Sequence, residues 1–171
     1  YKNITLIGYM GTGKSSVGKR LAEKLNMKFI DTDELIEKYY VKKISDIFRD
    51  EGEKSFRIIE SKTLKKVLNL KNNVIATRGG AICNKKIRKL IFKNSIVVWL
   101  WSSLKSSLDR VNSNAIKRPL LKRDNRYEMA EKLLKQRIFY YAETADILIQ
   151  NEGDSLENIC DRIHYEISKI L

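Results

Sequence analysis

The sequence predicts a three-layer α/β fold: a parallel sheet of about five strands with helices on both faces. Three observations predict it. Short apolar runs alternate with segments of helical periodicity along the chain. One run, Ser95-Ile96-Val97-Val98-Trp99-Leu100, is almost wholly apolar, as expected of a strand covered on both faces. Strands that alternate with helices pair in parallel, because each helix carries the chain back across the sheet.

The elements follow in order. Ile4-Thr5-Leu6-Ile7-Gly8 reads as a buried strand. The segment from Ser16 to Leu25 reads as a helix, with Val17, Leu21 and Leu25 on one face. Lys28 to Asp31 is a second strand, and a helix starts with Glu34, capped by Thr32 or Asp33. A short segment, Ser45-Asp46-Ile47-Phe48, precedes a longer helix that starts near Gly52-Glu53. Val74 to Thr77 is the third strand, closed by Arg78-Gly79-Gly80-Ala81, and Lys85 to Phe92 is a basic helix. After the fourth strand a helix passes through Leu104 and Leu108. Residues 112–125 are polar and basic, hold the only proline, and read as a mobile loop. A helix from about Tyr127 to Tyr141, a strand at Asp146 to Ile149 and a helix opened by Ser155 complete the chain. No repeat or linker interrupts it, so residues 1–171 read as one domain.

Ligands of such sheets sit beyond the carboxyl ends of the strands. Three polar clusters fall there. The first is Gly8-Tyr9-Met10-Gly11-Thr12-Gly13-Lys14-Ser15, a G-x-x-x-x-G-K-[ST] pattern between a strand and a helix. Glycines let backbone N–H groups wrap phosphates, and the helix N-terminus favours anions. Lys14 is expected at the β- and γ-phosphates, and Ser15 at Mg²⁺. The second is Asp31-Thr32-Asp33, with one carboxylate for the metal through water and one for an acceptor, unless Asp33 is only a helix cap. The third is Arg78-Gly79-Gly80. Arg57 and Arg137 lie on two different helices, and each offers a planar fork for a carboxylate. Arg118, in the mobile loop, can bring a cation to the site on closure.

Composition narrows the classes. No apolar run reaches the roughly 18 residues of a membrane span, and no secretory signal is expected at the start. Cys83 and Cys160 form no metal or disulfide pattern, which suits a reducing cytoplasm. A single histidine, His164, argues against His-rich metal centres and Ser-His-Asp chemistry. The net charge of +13 is carried mainly by scattered lysines, a solvated surface rather than a nucleic-acid stripe.

Together these motifs resemble the shikimate kinase family nearly end to end. The carriers are Gly8 to Ser15, Asp31-x-Asp33, Gly52-Glu53-x-x-Phe56-Arg57, Gly79-Gly80 and Arg118-Pro119-Leu120-Leu121. The resemblance implies a P-loop kinase fold, related to nucleoside monophosphate kinases, with a substrate-binding region at about 32–60 and a lid at about 112–125. It implies transfer of the γ-phosphoryl of ATP to the 3-hydroxyl of shikimate, in a cytoplasmic monomer that needs Mg²⁺. Carried over, Asp33 holds the shikimate hydroxyls, either as general base or only to orient the acceptor, while Arg57 and Arg137 clamp the carboxylate. Gly79 and Gly80 line the acceptor site, and Phe48 and Phe56 wall the ring. Gly11, Thr12, Gly13, Lys14, Ser15 and Ser16 hold the nucleotide phosphates. Lys14 and Arg118 stabilise transferring charge, and Mg²⁺ sits at Ser15 and, through water, Asp31. Arg110 is similar to the arginine that stacks on adenine, and Asn151 falls in the adenine loop.

One position departs. The family's third-strand turn usually reads Gly-Gly-Gly, and here Arg78 takes the first place. A left-handed backbone would cost an arginine roughly 1–2 kcal/mol. The expectation is therefore a negative φ, with the side chain toward Asp31 or the phosphates, or out to solvent. Arg78 also motivates a rival reading, a catalytically idle binding protein on this scaffold. Two further rivals are another small-molecule kinase, such as gluconate kinase, and a nucleic-acid-binding P-loop protein.

Overall fold

The computed structural model describes residues 2–114 and 123–171. Five strands form one parallel sheet: β1 (Asn3–Ile7), β2 (Lys28–Asp31), β3 (Asn73–Ala76), β4 (Ser95–Trp101) and β5 (Ile147–Gln150). Their order is β2-β3-β1-β4-β5. The described helices are α1 (Lys14–Leu25), α2 (Thr32–Tyr40), α3 (Ile44–Leu68), α4 (Lys85–Asn94), α5 (Leu104–Asn114), α6 (Arg123–Thr144) and α7 (Leu156–Ser168).

Alternation along the strands builds two cores. Ile4 and Leu6 of β1 face one layer with Val17 and Leu21 of α1 and Ile159 and Ile163 of α7. Ile7 faces the other, with Leu64 of α3, Ile87 and Ile91 of α4 and Tyr141 of α6. The β4 run is buried on both faces from Ser95 to Leu100, as its sequence predicts. A smaller core of Ile36, Ile44, Ile47, Phe56 and Ile59 joins α2 to α3.

The connections fix the site. The chain leaves β1 for the α1 layer, but leaves β3 and β4 for the opposite layer. A crevice therefore opens at the carboxyl end of β1, between its neighbours. β1 is in register with both: Thr5 pairs with Ile75 of β3 and with Val97 of β4.

Several boundaries differ from the sequence reading. Helix α1 begins at Lys14, two residues early, because the left-handed Gly13 (φ 89°) turns the chain directly into it. Asp31, rather than Thr32 or Asp33, caps α2: its carboxylate accepts from the backbone N–H groups of Asp33 (2.9 Å) and Glu34 (3.4 Å). The segment Ser45–Phe48 is the first part of α3, which breaks at Gly52 (φ 80°, ψ 169°), a conformation that favours glycine. Residues 112–114 and 123–125, expected in the loop, belong to α5 and α6. Their polar sequence hides the helix because these turns carry little apolar periodicity.

Candidate active site

The phosphate loop runs from Gly8 to Gly13 and is held from all sides. A side chain at Gly11 (φ 73°) would place its Cβ 2.1 Å from the Ser107 carbonyl oxygen, so only glycine fits. Thr12 is buried and donates to the Tyr9 carbonyl (2.9 Å). Asn151, beyond β5, donates from Nδ2 to the Thr12 carbonyl (2.9 Å). Arg110 of α5 donates to the carbonyls of Gly11 (3.1 Å) and Asn151 (2.9 Å) and to Ser102 Oγ (2.8 Å). These bonds lie in the plane of the guanidinium, which leaves its faces for stacking. Ser16 is exposed in the first turn of α1.

Lys14 Nζ donates to the carbonyls of Gly8 (2.9 Å) and Tyr9 (2.7 Å). Desolvation pulls its pKa down to about 8, opposed by the charges of Asp33 and Asp31. A lysine drawn this close to neutrality is poised for an anionic partner that restores its charge.

Ser15 Oγ donates to Asp31 Oδ2 at 2.5 Å. One hydroxyl and one carboxylate make a sparse set of hard oxygens. Mg²⁺ is held in this way, by one or two carboxylates together with waters and substrate phosphates. Among the described residues no cluster of three or more His, Cys, Asp or Glu offers a metal an all-protein cage. The residues present fit Mg²⁺ brought in with a nucleotide.

With Asp31 as the cap, Asp33 is spared that role. Its Oδ2 accepts from Arg78 Nη1 at 2.9 Å, and its Oδ1 is buried with no hydrogen-bond partner. Burial pushes the Asp33 pKa up, and Arg78 and Lys14 hold it down. Arg78 has no positive φ, as expected. Its side chain does not go to Asp31. It pairs with Asp33 and lies over the rings of Phe48 (5.6 Å) and Phe56 (5.3 Å). Asp31 is already satisfied by Ser15 and the helix N-terminus, which leaves Asp33 as the unpaired carboxylate in reach.

The structure brings Arg57 and Arg137 together, which sequence spacing alone does not show. A Cβ at Gly80 would lie 2.8 and 2.9 Å from the two terminal nitrogens of Arg57 and 3.2 Å from Arg137 Nη2. A side chain at Gly80 would push both guanidinium groups aside. The buried Arg137 Nε has no partner. Gly79 gives its carbonyl to the Tyr141 hydroxyl (2.7 Å), and a side chain there would press on the Gly8 carbonyl. Phe48 and Phe56 pack with ring centroids 4.5 Å apart.

Two residues that sequence reading missed complete the cluster. Glu60, 3% exposed, accepts from Arg57 Nη1 at 2.9 Å, while its Oε1 stays unpartnered. Burial raises its pKa against the pull of Arg57. Its spacing of three from Arg57 was a usable signal. Tyr141 had none: its contact with Gly79 spans 62 residues. Arg118 lies outside the described residues, as does most of the expected lid.

Comparison with known proteins gives the family. The family profile described as shikimate kinase matches residues 10–168. The chain belongs to the shikimate kinase family. It is 43% identical over 162 residues to the shikimate kinase of Persephonella marina, covering 95% of this chain and 96% of that one. It is 39% identical over 163 residues to the shikimate kinase of Francisella tularensis subsp. holarctica, covering 95% and 92%. The structure of Acinetobacter baumannii shikimate kinase in complex with shikimate superposes with a TM-score of 0.90 at 35% identity, covering 98% of this chain and 93% of that one. The Aquifex aeolicus shikimate kinase gives 0.84 at 31%, covering 97% and 96%. The P-loop kinase fold read from the sequence is thus that of shikimate kinases. No described helix is long and apolar enough to cross a membrane.

Proposed function

We propose that this chain transfers the γ-phosphoryl group of ATP to the 3-hydroxyl of shikimate, giving shikimate 3-phosphate and ADP for aromatic amino-acid synthesis. Family membership supports the reaction, and one observation carries the acceptor: Arg57 and Arg137 converge over Gly80, beside an aromatic wall and Asp33. That set suits a ring bearing one carboxylate and several hydroxyls. Gluconate has the same groups but no ring for Phe48 and Phe56 to wall.

The roles follow from position. Backbone N–H groups of the loop and of Ser15 and Ser16 cradle the phosphates, and Lys14 leaves its carbonyl partners for their oxygens. Ser15 and, through water, Asp31 would hold Mg²⁺, which would supply neutralising charge to the phosphates. Asp33 orients the 3-hydroxyl and takes its proton as the new O–P bond forms and the bond to the β-phosphate oxygen breaks. Arg110 and Asn151 receive the adenine, and Arg118, whose role rests on the family resemblance alone, adds positive charge to the transferring group. We place the chain as a monomer in the cytoplasm, a reducing compartment where free thiols such as Cys83 and Cys160 persist.

The test is ADP release with ATP and Mg²⁺, comparing shikimate, gluconate and no acceptor. Stimulation by shikimate alone is expected. Stimulation by gluconate would change the substrate, and none by either would favour the idle-scaffold reading.

Lys14 predicts a pH effect. Its folded pKa is depressed to about 8, so the charged form is lost as pH rises through 8. The value of kcat/KM for ATP, which reports the free enzyme, should fall above that pH. The kcat profile should hold to higher pH, because bound phosphates stabilise the charged lysine. Coincident profiles would show that Lys14 does not meet the phosphates.

A further inference from the structure

Arg78 stands where the acceptor is needed. A hydroxyl reaching Asp33 requires one of its two oxygens. Oδ1 is buried and reaches no partner, while Oδ2 is covered by Arg78 at 2.9 Å. The rest of the Arg78 side chain is spent on the same surface, with its guanidinium 5.6 and 5.3 Å from the ring centroids of Phe48 and Phe56. These rings are the wall assigned above to the acceptor ring. Among the described residues the other two site arginines do not compete for Asp33: Arg57 pairs with Glu53 and Glu60, and Arg137 meets Arg57 over Gly80.

We propose that Arg78 is an affinity-setting latch on the acceptor site, holding Asp33 Oδ2 and the Phe48–Phe56 wall until the acceptor displaces it. The inference rests on the reading of Asp33 as the acceptor's hydroxyl partner. Displacement has somewhere to go. A groove of about 630 Å³ runs past Arg78 and is lined by Glu34 and Glu37 as well as Asp31 and Asp33. Glu37 already accepts from Lys43 and the Ile44 N–H, whereas Glu34 forms no side-chain ion pair among the described residues, so Glu34 is the landing place. The Arg78 and Asp33 side chains are 37% and 36% exposed, so the pair is solvated enough to exchange partners rather than lock the site shut. The latch selects for acceptors that bring both a carboxylate to Arg57 and Arg137 and a hydroxyl to Asp33, since neither group alone repays the lost pair.

Titration calorimetry with shikimate tests this on the wild type, Arg78→Gly, Arg78→Met, Asp33→Asn and the double variant Asp33→Asn/Arg78→Gly. Arg78→Met keeps length and apolar contact with the rings but removes the charge, and the negative φ admits either replacement in a folded chain. Both Arg78 variants should bind shikimate about tenfold more tightly, with the same gain in KM for shikimate and none in KM for ATP. The double variant should show no gain over Asp33→Asn. Unchanged or weaker binding in Arg78→Gly, while Asp33→Asn loses shikimate, overturns the latch and leaves the acceptor reading standing. Tightening in Arg78→Gly but not Arg78→Met makes bulk the obstacle and also overturns the ion-pair latch. Full shikimate affinity in Asp33→Asn removes the acceptor reading itself, and the latch with it.

Discussion

Replacement of Lys14 by alanine should lower kcat by about 100- to 1,000-fold, the usual effect of deleting one preorganised donor to transition-state charge. Stability should not fall with it. The Lys14 ammonium is desolvated enough to bring its pKa down to about 8, so below that pH the folded protein carries the penalty of a charge taken from water. Alanine removes that penalty along with two hydrogen bonds to the Gly8 and Tyr9 carbonyls. The linkage has a definite sign. The folded pKa lies below the unfolded value near 10.5, so the unfolded chain holds more protons between pH 8 and 10.5. Wild-type stability should therefore gain a contribution across that window as pH rises, and the alanine variant should lack it. Steady-state kinetics and thermal melts at pH 7 and 9.5 check both halves. A kcat within tenfold of wild type would assign Lys14 to loop bracing alone.

Replacement of Arg57 by alanine should strike binding and stability together. Losing a charge-assisted contact to the shikimate carboxylate is worth about 1.5–3 kcal/mol, or roughly 10- to 150-fold in affinity. The same change strands Glu60, which is 3% exposed and has Arg57 as its hydrogen-bond partner. Stripping one partner from a buried ion pair costs about 3–5 kcal/mol. The two effects separate in the double variant Arg57→Ala/Glu60→Gln. A neutral amide is far cheaper to bury, so thermal stability should return most of the way while shikimate affinity does not. If affinity returns as well, Arg57 serves the fold through Glu60, and the carboxylate is held elsewhere.

What the sequence reveals and what it hides divide along physical lines. The strands and their shared carboxyl edge were legible because apolar runs such as Ile4–Ile7 and Ser95–Leu100 carry the burial pattern in one dimension. The phosphate loop was legible because glycine spacing encodes backbone shape. The cap of α2 was not, since Asp31, Thr32 and Asp33 all favour that place and only the observed backbone at Asp31 (φ −92°, ψ 120°) decides among them. Side-chain direction was hidden as well. Arg78 is expected toward Asp31 or the phosphates, or out to solvent, but pairs with Asp33 because Asp31 gives both oxygens to Ser15 and the helix, a saturation that no spacing records. The meeting of Arg57 with Arg137 joins two helices of one layer, α3 and α6, 80 positions apart in sequence, and Tyr141 enters the same site only through the tertiary fold.

The position of β1 has a consequence for how the protein is made. Thr5 pairs with Ile75 on one side and Val97 on the other, so the strand that carries the phosphate loop is synthesised well before either of its neighbours. At a typical ribosomal pace of about 5–20 residues per second, β1 waits several seconds for its neighbours, with both edges open. Until β4 emerges, that strand is a template for pairing with other chains. Its buried polar residues, Asn3 and Thr5, find their mates at Asn73 and Ser95. A transcript that stops before residue 95 would thus yield a chain prone to association rather than a weakened kinase, and protection of β1 during synthesis falls to whatever holds nascent chains apart.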